Sequence, residues 1–319
     1  MKPVYGGQAV LEGVMMRGPS DFAVAVRAPS GKIVVHKEEL KGTIYTSRLA
    51  KLPVIRGMVA LWDTMALGMR TLSFSADVAF AEAAAEESGE EAEKPKMPAG
   101  VMWVTMVVGL LFAVGLFFVL PVLAMGFVDR FMPTALASNL VEKVIRLTLI
   151  LGYMFAIGFL PDLRRVYEYH GAEHKSINAY EAGAPLTVES VRRFPTAHPR
   201  CGTTFLVIVV LVSFVLFTML GQPALWLRVL SRIVLIPVIA GLAYEVVRLA
   251  ARNYHRPFVR ALMAPGLAVQ KLTTREPDDS QLETAIVSLQ TVIDSEAARA
   301  AEVTAMAAPA AEPATVAAA

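Results

Sequence analysis

From Val101 to Val128 the chain carries no charged residue. Such a run exceeds the ~20 apolar residues that an α-helix needs to cross the hydrocarbon core of a bilayer. Thr203 to Leu220 is uncharged as well, Val144 to Leu160 carries only Arg146 near its start, and Ile233 to Val247 carries Pro237 and Glu245. Composition agrees with burial in lipid. The 319 residues are 55% hydrophobic and 18% charged, with mean hydropathy +0.52, whereas ordinary soluble domains are roughly 45–50% apolar. The chain is therefore expected to be mainly α, a multi-pass membrane protein with about four transmembrane helices. Met1 to Gly7 lacks the basic and apolar regions of a signal peptide, so the spans are internal.

Lysine and arginine placement orients such a bundle. Basic residues crowd the segment before the first run (Lys32, Lys37, Lys41, Arg48, Lys51, Arg56, Arg70) and the stretch between the second and third (Arg164, Arg165, Lys175, Arg192, Arg193, Arg200). They crowd the C-terminal part too (Arg248, Arg252, Arg256, Arg260, Lys271, Arg275), while the remaining connections, 129–143 and 221–232, are shorter and poorer in positive charge. The lipid bilayer is thus the expected partner, with both termini and the loop 161–202 on the cytoplasmic side. A net charge of +2 and the lack of a basic tract interleaved with aromatics give no reason to expect nucleic acid.

Residues 1–80 read as an N-terminal cytoplasmic α+β portion. Phe22 to Val26 and Lys32 to His36 flank Pro29-Ser30-Gly31 as a β-hairpin, and a glycine-rich segment, Gly6 to Pro19, precedes it. There Glu12 and Arg17 can pair with each other or face the loop. From Pro53 to Phe80 the pattern is helical, with Arg56, Asp63, Arg70 and Asp77 on one narrow charged stripe. Residues 81–98 form an acidic linker, 99–250 the transmembrane region, 251–297 a C-terminal cytoplasmic segment and 298–319 a disordered Ala-rich tail. Ser280-Gln281-Leu282-Glu283 resembles a capping box. After it Leu282, Ile286, Leu289 and Ile293 make an apolar stripe that suits a short helix docked on the cytoplasmic domain or on a second copy in a homo-oligomer.

Chemistry concentrates in the loop 161–202. His170-Gly171-Ala172-Glu173-His174 places two imidazoles one helical turn apart, with a carboxylate beside them. H-x-x-E-H is a zinc-peptidase spacing in which the glutamate acts as base. With five histidines in the chain, it arises by chance on the order of one time in a hundred. A third ligand is open between Glu181, His198 and Cys201. Glu181 follows His174 too closely for the usual peptidase arrangement, which weakens that specific reading but not metal binding. The competing readings are structural: His170 and His174 as interfacial residues at a helix end, His198 as a loop residue, and Cys201 as a small apolar residue opening a span. Glu245 either snorkels or has a polar partner. A single cysteine excludes an intramolecular disulfide and a Cys₄ zinc site.

Three segments together carry a resemblance: Gly6 to Gly18, Tyr169 to Lys175, and His198-Pro199-Arg200-Cys201-Gly202-Thr203, with Leu272 to Pro277 extending it. They resemble the YqhQ-like family of bacterial membrane proteins over roughly residues 5 to 295. The resemblance implies a predicted metal-dependent enzyme of the inner membrane. The residues and the resemblance lead to one expectation: a metal-dependent hydrolase of unknown substrate, with a divalent ion, zinc by spacing, on His170 and His174. Glu173 is the base, and His198, Glu181 or Cys201 completes the site. The alternative is a non-enzymatic membrane scaffold with a structural metal or none.

Overall fold

The computed structural model describes residues 3–40, 52–88, 99–221 and 223–307. Lys41, Arg48 and Lys51, the stretch 89–98 and the tail from 308 lie outside these.

Four antiparallel strands open the chain in the order β1 (Gly6–Val10), β2 (Gly13–Arg17), β3 (Asp21–Arg27) and β4 (Ile33–Glu39). The expected hairpin is β3–β4, with Val24 opposite His36. The glycine-rich segment supplies two further strands, with Gly7 opposite Met16. Both faces of β2 and β3 are covered, which is why their sequences are apolar at nearly every position. Val10, Met15, Phe22, Val24 and Val26 pack with Leu67 of α1 (Ile55–Ser88). Val14, Met16 and Ala23 pack on the other face against α5 (Pro161–Ala182) and α11 (Asp279–Ala307).

Helix α1 continues through Ser88 into the stretch expected as linker. Its charged stripe meets protein groups: Arg56 Nε lies 2.6 Å from Glu245 Oε1, Asp63 pairs with Arg17 at 2.7 Å, and Arg70 pairs with Glu38. Glu245 therefore has the polar partner its apolar surroundings require, and Arg17 is engaged by Asp63 rather than by Glu12.

The apolar part begins with α2 (Ala99–Val114), a π-helical turn over Gly115–Val119, and α3 (Leu120–Val128). Pro121 cannot donate to the preceding turn, and Leu120 N–H bonds Gly115 O instead, widening the helix. There follow α4 (Ala135–Ile157), α5, the short α6 (Val188–Val191), α7 (Gly202–Met219), α8 (Leu225–Val234), α9 (Ile236–Arg252) and α10 (Pro257–Thr273). Trp103–Phe131 and Gly202–Met219 are each long and apolar enough to cross a membrane. The second and fourth apolar runs belong to bent pairs: α4 turns by 101° into α5, and α8 by 50° into α9, just before Pro237. The count of candidate spans is two, or up to four if each pair makes one.

At the C-terminal side, α10 is a helix the sequence pattern did not reveal; it contains Pro265 and packs on α7 through Met263 and Ile208. The cap of α11 lies two residues before the anticipated box. Asp278 Oδ1 accepts from Gln281 N–H at 2.9 Å, and Gln281 Oε1 accepts from Asp278 N–H at 2.9 Å. Leu282 and Leu289 are buried against sheet and α5, as their spacing suggested. The helix is long rather than short. Arg299, within the stretch expected to be disordered, reaches Asp21 at 2.6 Å.

A polar knot lies inside the apolar helices. Glu142 of α4 accepts from Arg146 Nη2 and from Arg232 Nη2 of α8, each at 2.9 Å, with Lys143 Nζ at 3.4 Å. All four are at most 4% exposed, and Lys143 and Arg232 also lie over the Phe217 ring at 4.3 and 3.9 Å. One carboxylate thus holds three buried cations. Glu142→Gln is expected to cost about 3–5 kcal/mol, read as early thermal unfolding in detergent; an unchanged melting temperature would show that the cations are balanced otherwise.

Candidate metal centre

Helix α5 starts with Pro161 in its first turn and stops at Gly183, which adopts the left-handed conformation (φ 72°). Tyr169, Ala172 and Ile177 face the core, so a turn-spaced set, His170, Glu173 and His174, lines a cavity of about 690 Å³. Its other walls come from Gly6 to Gln8 of β1 and from Arg200 to Thr203 at the start of α7.

The two imidazoles are held from behind. His170 Nδ1 donates to the carbonyl of Thr273 at 2.9 Å, and His174 Nδ1 donates to that of Thr196 at 2.5 Å. Each ring therefore keeps Nε2 as its lone-pair nitrogen, the arrangement that outer partners impose on metal-binding histidines. His170 Nε2 is 3.2 Å from Cys201 Sγ, while His174 Nε2 is buried without a hydrogen-bond partner. The ligand atoms of His170, His174 and Cys201 all lie within 4.8 Å of one another. Two nitrogens and a sulfur converging on one point, one of them an orphaned buried atom, fit a divalent ion.

The remaining candidates stand apart from that point. Glu181 pairs with Arg200, and its Oε2 is 3.6 Å from His198 Nε2. The His198 ring lies 5.7 Å from that of His174, and its Nε2 is also buried without a hydrogen-bond partner. Burial first, then the Arg200 guanidinium, hold the His198 imidazole down at about 4. Gln270 of α10, unmarked by any sequence pattern, clamps this residue: its Oε1 accepts from His198 N–H at 2.9 Å and its Nε2 donates to His198 O at 2.7 Å. Cys201 also caps α7, accepting weakly from Thr203 N–H at 3.5 Å.

Two glycines permit this packing. A Cβ on Gly171 would sit 2.1 Å from the carbonyl oxygen of Arg275, so the segment carrying Thr273 could not approach His170. A Cβ on Gly7 would sit 2.8 Å from Glu173 Cγ. The N–H of Gly7 instead bonds the Glu173 carboxylate. Glycine is unfavourable in strands, so the doublet Gly6-Gly7 signals close approach but hides β1. Beside this, Glu12 accepts from Arg165 Nη2 at 2.6 Å and from the Tyr169 hydroxyl at 3.3 Å. Burial drives Glu173 up to about 7, with His170 and the Gly7 N–H opposing.

The architecture is that of a mainly helical chain with an N-terminal four-stranded sheet, two to four candidate apolar spans, and a His–His–Cys cluster in which His174 is buried and His170 and Cys201 are half-buried. A family model described as "Protein of unknown function (DUF1385)" matches residues 52–295, and the chain belongs to that family. It is similar to the uncharacterized protein YqhQ of Bacillus subtilis (strain 168), with 35% identity over 298 residues, covering 92% of this chain and 94% of that protein. The resemblance read from the motifs is to this group. No solved structure matches the chain.

The folded protein holds the Glu173 proton up to about 7, against 4.5 for an ordinary glutamate. The resulting stabilisation is complete below about 4.5 and is lost as pH rises through about 7. In chelator-treated protein Glu173→Gln is therefore expected to melt with wild type near pH 5 and above it near pH 8.5. The gap is on the order of 3 kcal/mol at most. A gap that does not vary with pH would contradict this reading of Glu173.

Proposed function

We propose that this chain is a metal-dependent hydrolase working where the cytoplasmic face of the bacterial inner membrane meets the apolar helices. The observation that carries the reading is the buried, partnerless Nε2 of His174, set beside His170 Nε2 and Cys201 Sγ. His170, His174 and Cys201 would hold the ion, and a mixed nitrogen and thiolate set favours zinc over harder cations. Three protein ligands leave a coordination position open to solvent or substrate. The ion supplies Lewis acidity when bound. Glu173, which lines the same cavity, would take the proton of the attacking water and return it to the leaving group. The cytoplasmic placement is supported by the basic residues of 161–202 and by the even number of spans that four crossings would give.

A second reading has its own observation. His198 Nε2 is likewise buried without a hydrogen-bond partner. If His198 turned inward as fourth ligand, the site would be closed and the metal structural, leaving a scaffold rather than an enzyme.

Metal content of the detergent-purified protein, by plasma mass spectrometry, tests the hydrolase reading. About one zinc per chain is expected in wild type and in Glu173→Gln, and none in His170→Ala/His174→Ala. A folded wild type that stays metal-free after dialysis against zinc overturns it. His198→Ala that loses the metal as completely as the double variant favours the closed, structural site.

A further inference from the structure

A second cavity, of about 400 Å³, lies among the apolar helices. Its walls come from Phe117 and Phe118 of the π-helical turn, Tyr153 and Met154 of α4, Leu206 of α7 and Ala240 of α9. It sits where two helices depart from regular geometry: the widened turn that Pro121 imposes and the break between α8 and α9. Such departures recur at functional sites. The lining is apolar apart from the Tyr153 hydroxyl, Ser213, whose hydroxyl donates to Val210 O at 2.8 Å, and Arg146. The Arg146 guanidinium is held by Glu142 at 2.9 Å and lies over the Phe118 ring at 5.1 Å. Its Nη2 is thus engaged within the protein, whereas its Nε is buried without a hydrogen-bond partner. The rim is open at Tyr153, 38% exposed.

This slot lies next to the cavity of the candidate metal centre. On α7, Thr203 lines the first cavity and Phe205 and Leu206 the second; on α1, Thr64 lines the first and Leu61 the second. Tyr167 lines the first cavity and donates its hydroxyl proton to the carbonyl of Met154, a residue of the second, at 3.1 Å. From Thr203 to Ser213, at the far end of the slot, α7 rises about 15 Å.

We infer that the slot is an acyl-chain site serving the metal centre, so that the ligand is a membrane amphiphile with its polar end beside His170 and its chain running toward Ser213. The second half rests on the hydrolase reading; the chain site does not. Size selects the occupant. One turn of a helix ~10 Å wide already fills about 400 Å³, so a transmembrane peptide does not fit, whereas a flexible chain does. Apolar cavities of this kind stay dry and take hydrocarbon. The lining sets the direction: His170, Glu173, His174 and Arg200 gather in the first cavity, whereas the second is aromatic and aliphatic apart from Arg146, Tyr153 and Ser213.

Two photoreactive palmitic acids test this on the full-length protein in detergent, one with a diazirine near the carboxyl end and one near the methyl end. The carboxyl-end probe is expected to label the segments around Tyr167 and Thr203, and the methyl-end probe those around Ile150 and Ser213. Ala240→Phe and Leu206→Trp, which fill the slot from opposite walls, are each expected to lower both labels several-fold. Labelling is expected to persist in His170→Ala/His174→Ala, where the metal is gone. Labels spread over lipid-exposed positions such as Leu110 and Leu211, undiminished by either filling variant, would overturn the inference, as would a reversed order of the two probes. Metal content measured on the same samples separates that failure from failure of the hydrolase reading.

Discussion

Helix α5 presents two imidazoles to one point because main-chain carbonyls hold both rings from outside the helix. Thr273 O takes the Nδ1 proton of His170, and Thr196 O takes that of His174. Each of these bonds fixes a ring's direction and its tautomer together. They depend in turn on the absent Cβ of Gly171, which lets the 273–277 segment lie on the helix; Arg275 N–H bonds Tyr167 O at 2.9 Å there. Lys175, buried beneath, anchors the far side through Glu276 at 2.6 Å and Arg192 O at 2.8 Å. The sheet and α11 then close over the opposite face of α5 with Tyr169, Ala172, Leu282 and Leu289. The connection after α10 is thereby bonded to the helix that carries the site.

Parts of this were legible in the sequence. H-x-x-E-H identified the helix and its two histidines because helical spacing is a local property. The β3–β4 hairpin and the apolar stripe of α11 were legible for the same reason. The third candidate ligand was not. Cys201 lies 31 positions from His170, and no periodicity separates it from His198 or Glu181; Arg200 draws Glu181 away, and Gln270 holds His198 beside His174. Strands β1 and β2 were obscured by glycines that serve close packing against Glu173 and the neighbouring strands. Helix α10 was obscured by Pro265 inside it. The knot around Glu142 escaped notice because Glu142 and Arg232 fall in two separate connections, 129–143 and 221–232, and Arg146 in an apolar run, and only tertiary packing joins them.

Burial of charge is handled differently in the two halves of the molecule. Near the sheet, ion pairs such as Arg56–Glu245 and Arg17–Asp63 link α1 to its neighbours and retain partial exposure. Among the apolar helices, Glu142 gathers three cations, each at most 4% exposed, an arrangement that costs desolvation and ties α4 to α8. Between these two regions lie the metal centre and the apolar slot, one turn apart on α7. A polar cavity one helical turn from a mostly apolar one is what the proposed chemistry on a membrane amphiphile would need.

The central claim is that His170, His174 and Cys201 share one ion. X-ray absorption at the zinc edge, on zinc-loaded protein, tests it most directly. The account predicts a shell with nitrogen scatterers near ~2.0 Å showing imidazole outer features and one sulfur near ~2.3 Å, the sulfur vanishing in Cys201→Ser. A shell of nitrogen and oxygen alone, unchanged by that substitution, would contradict it.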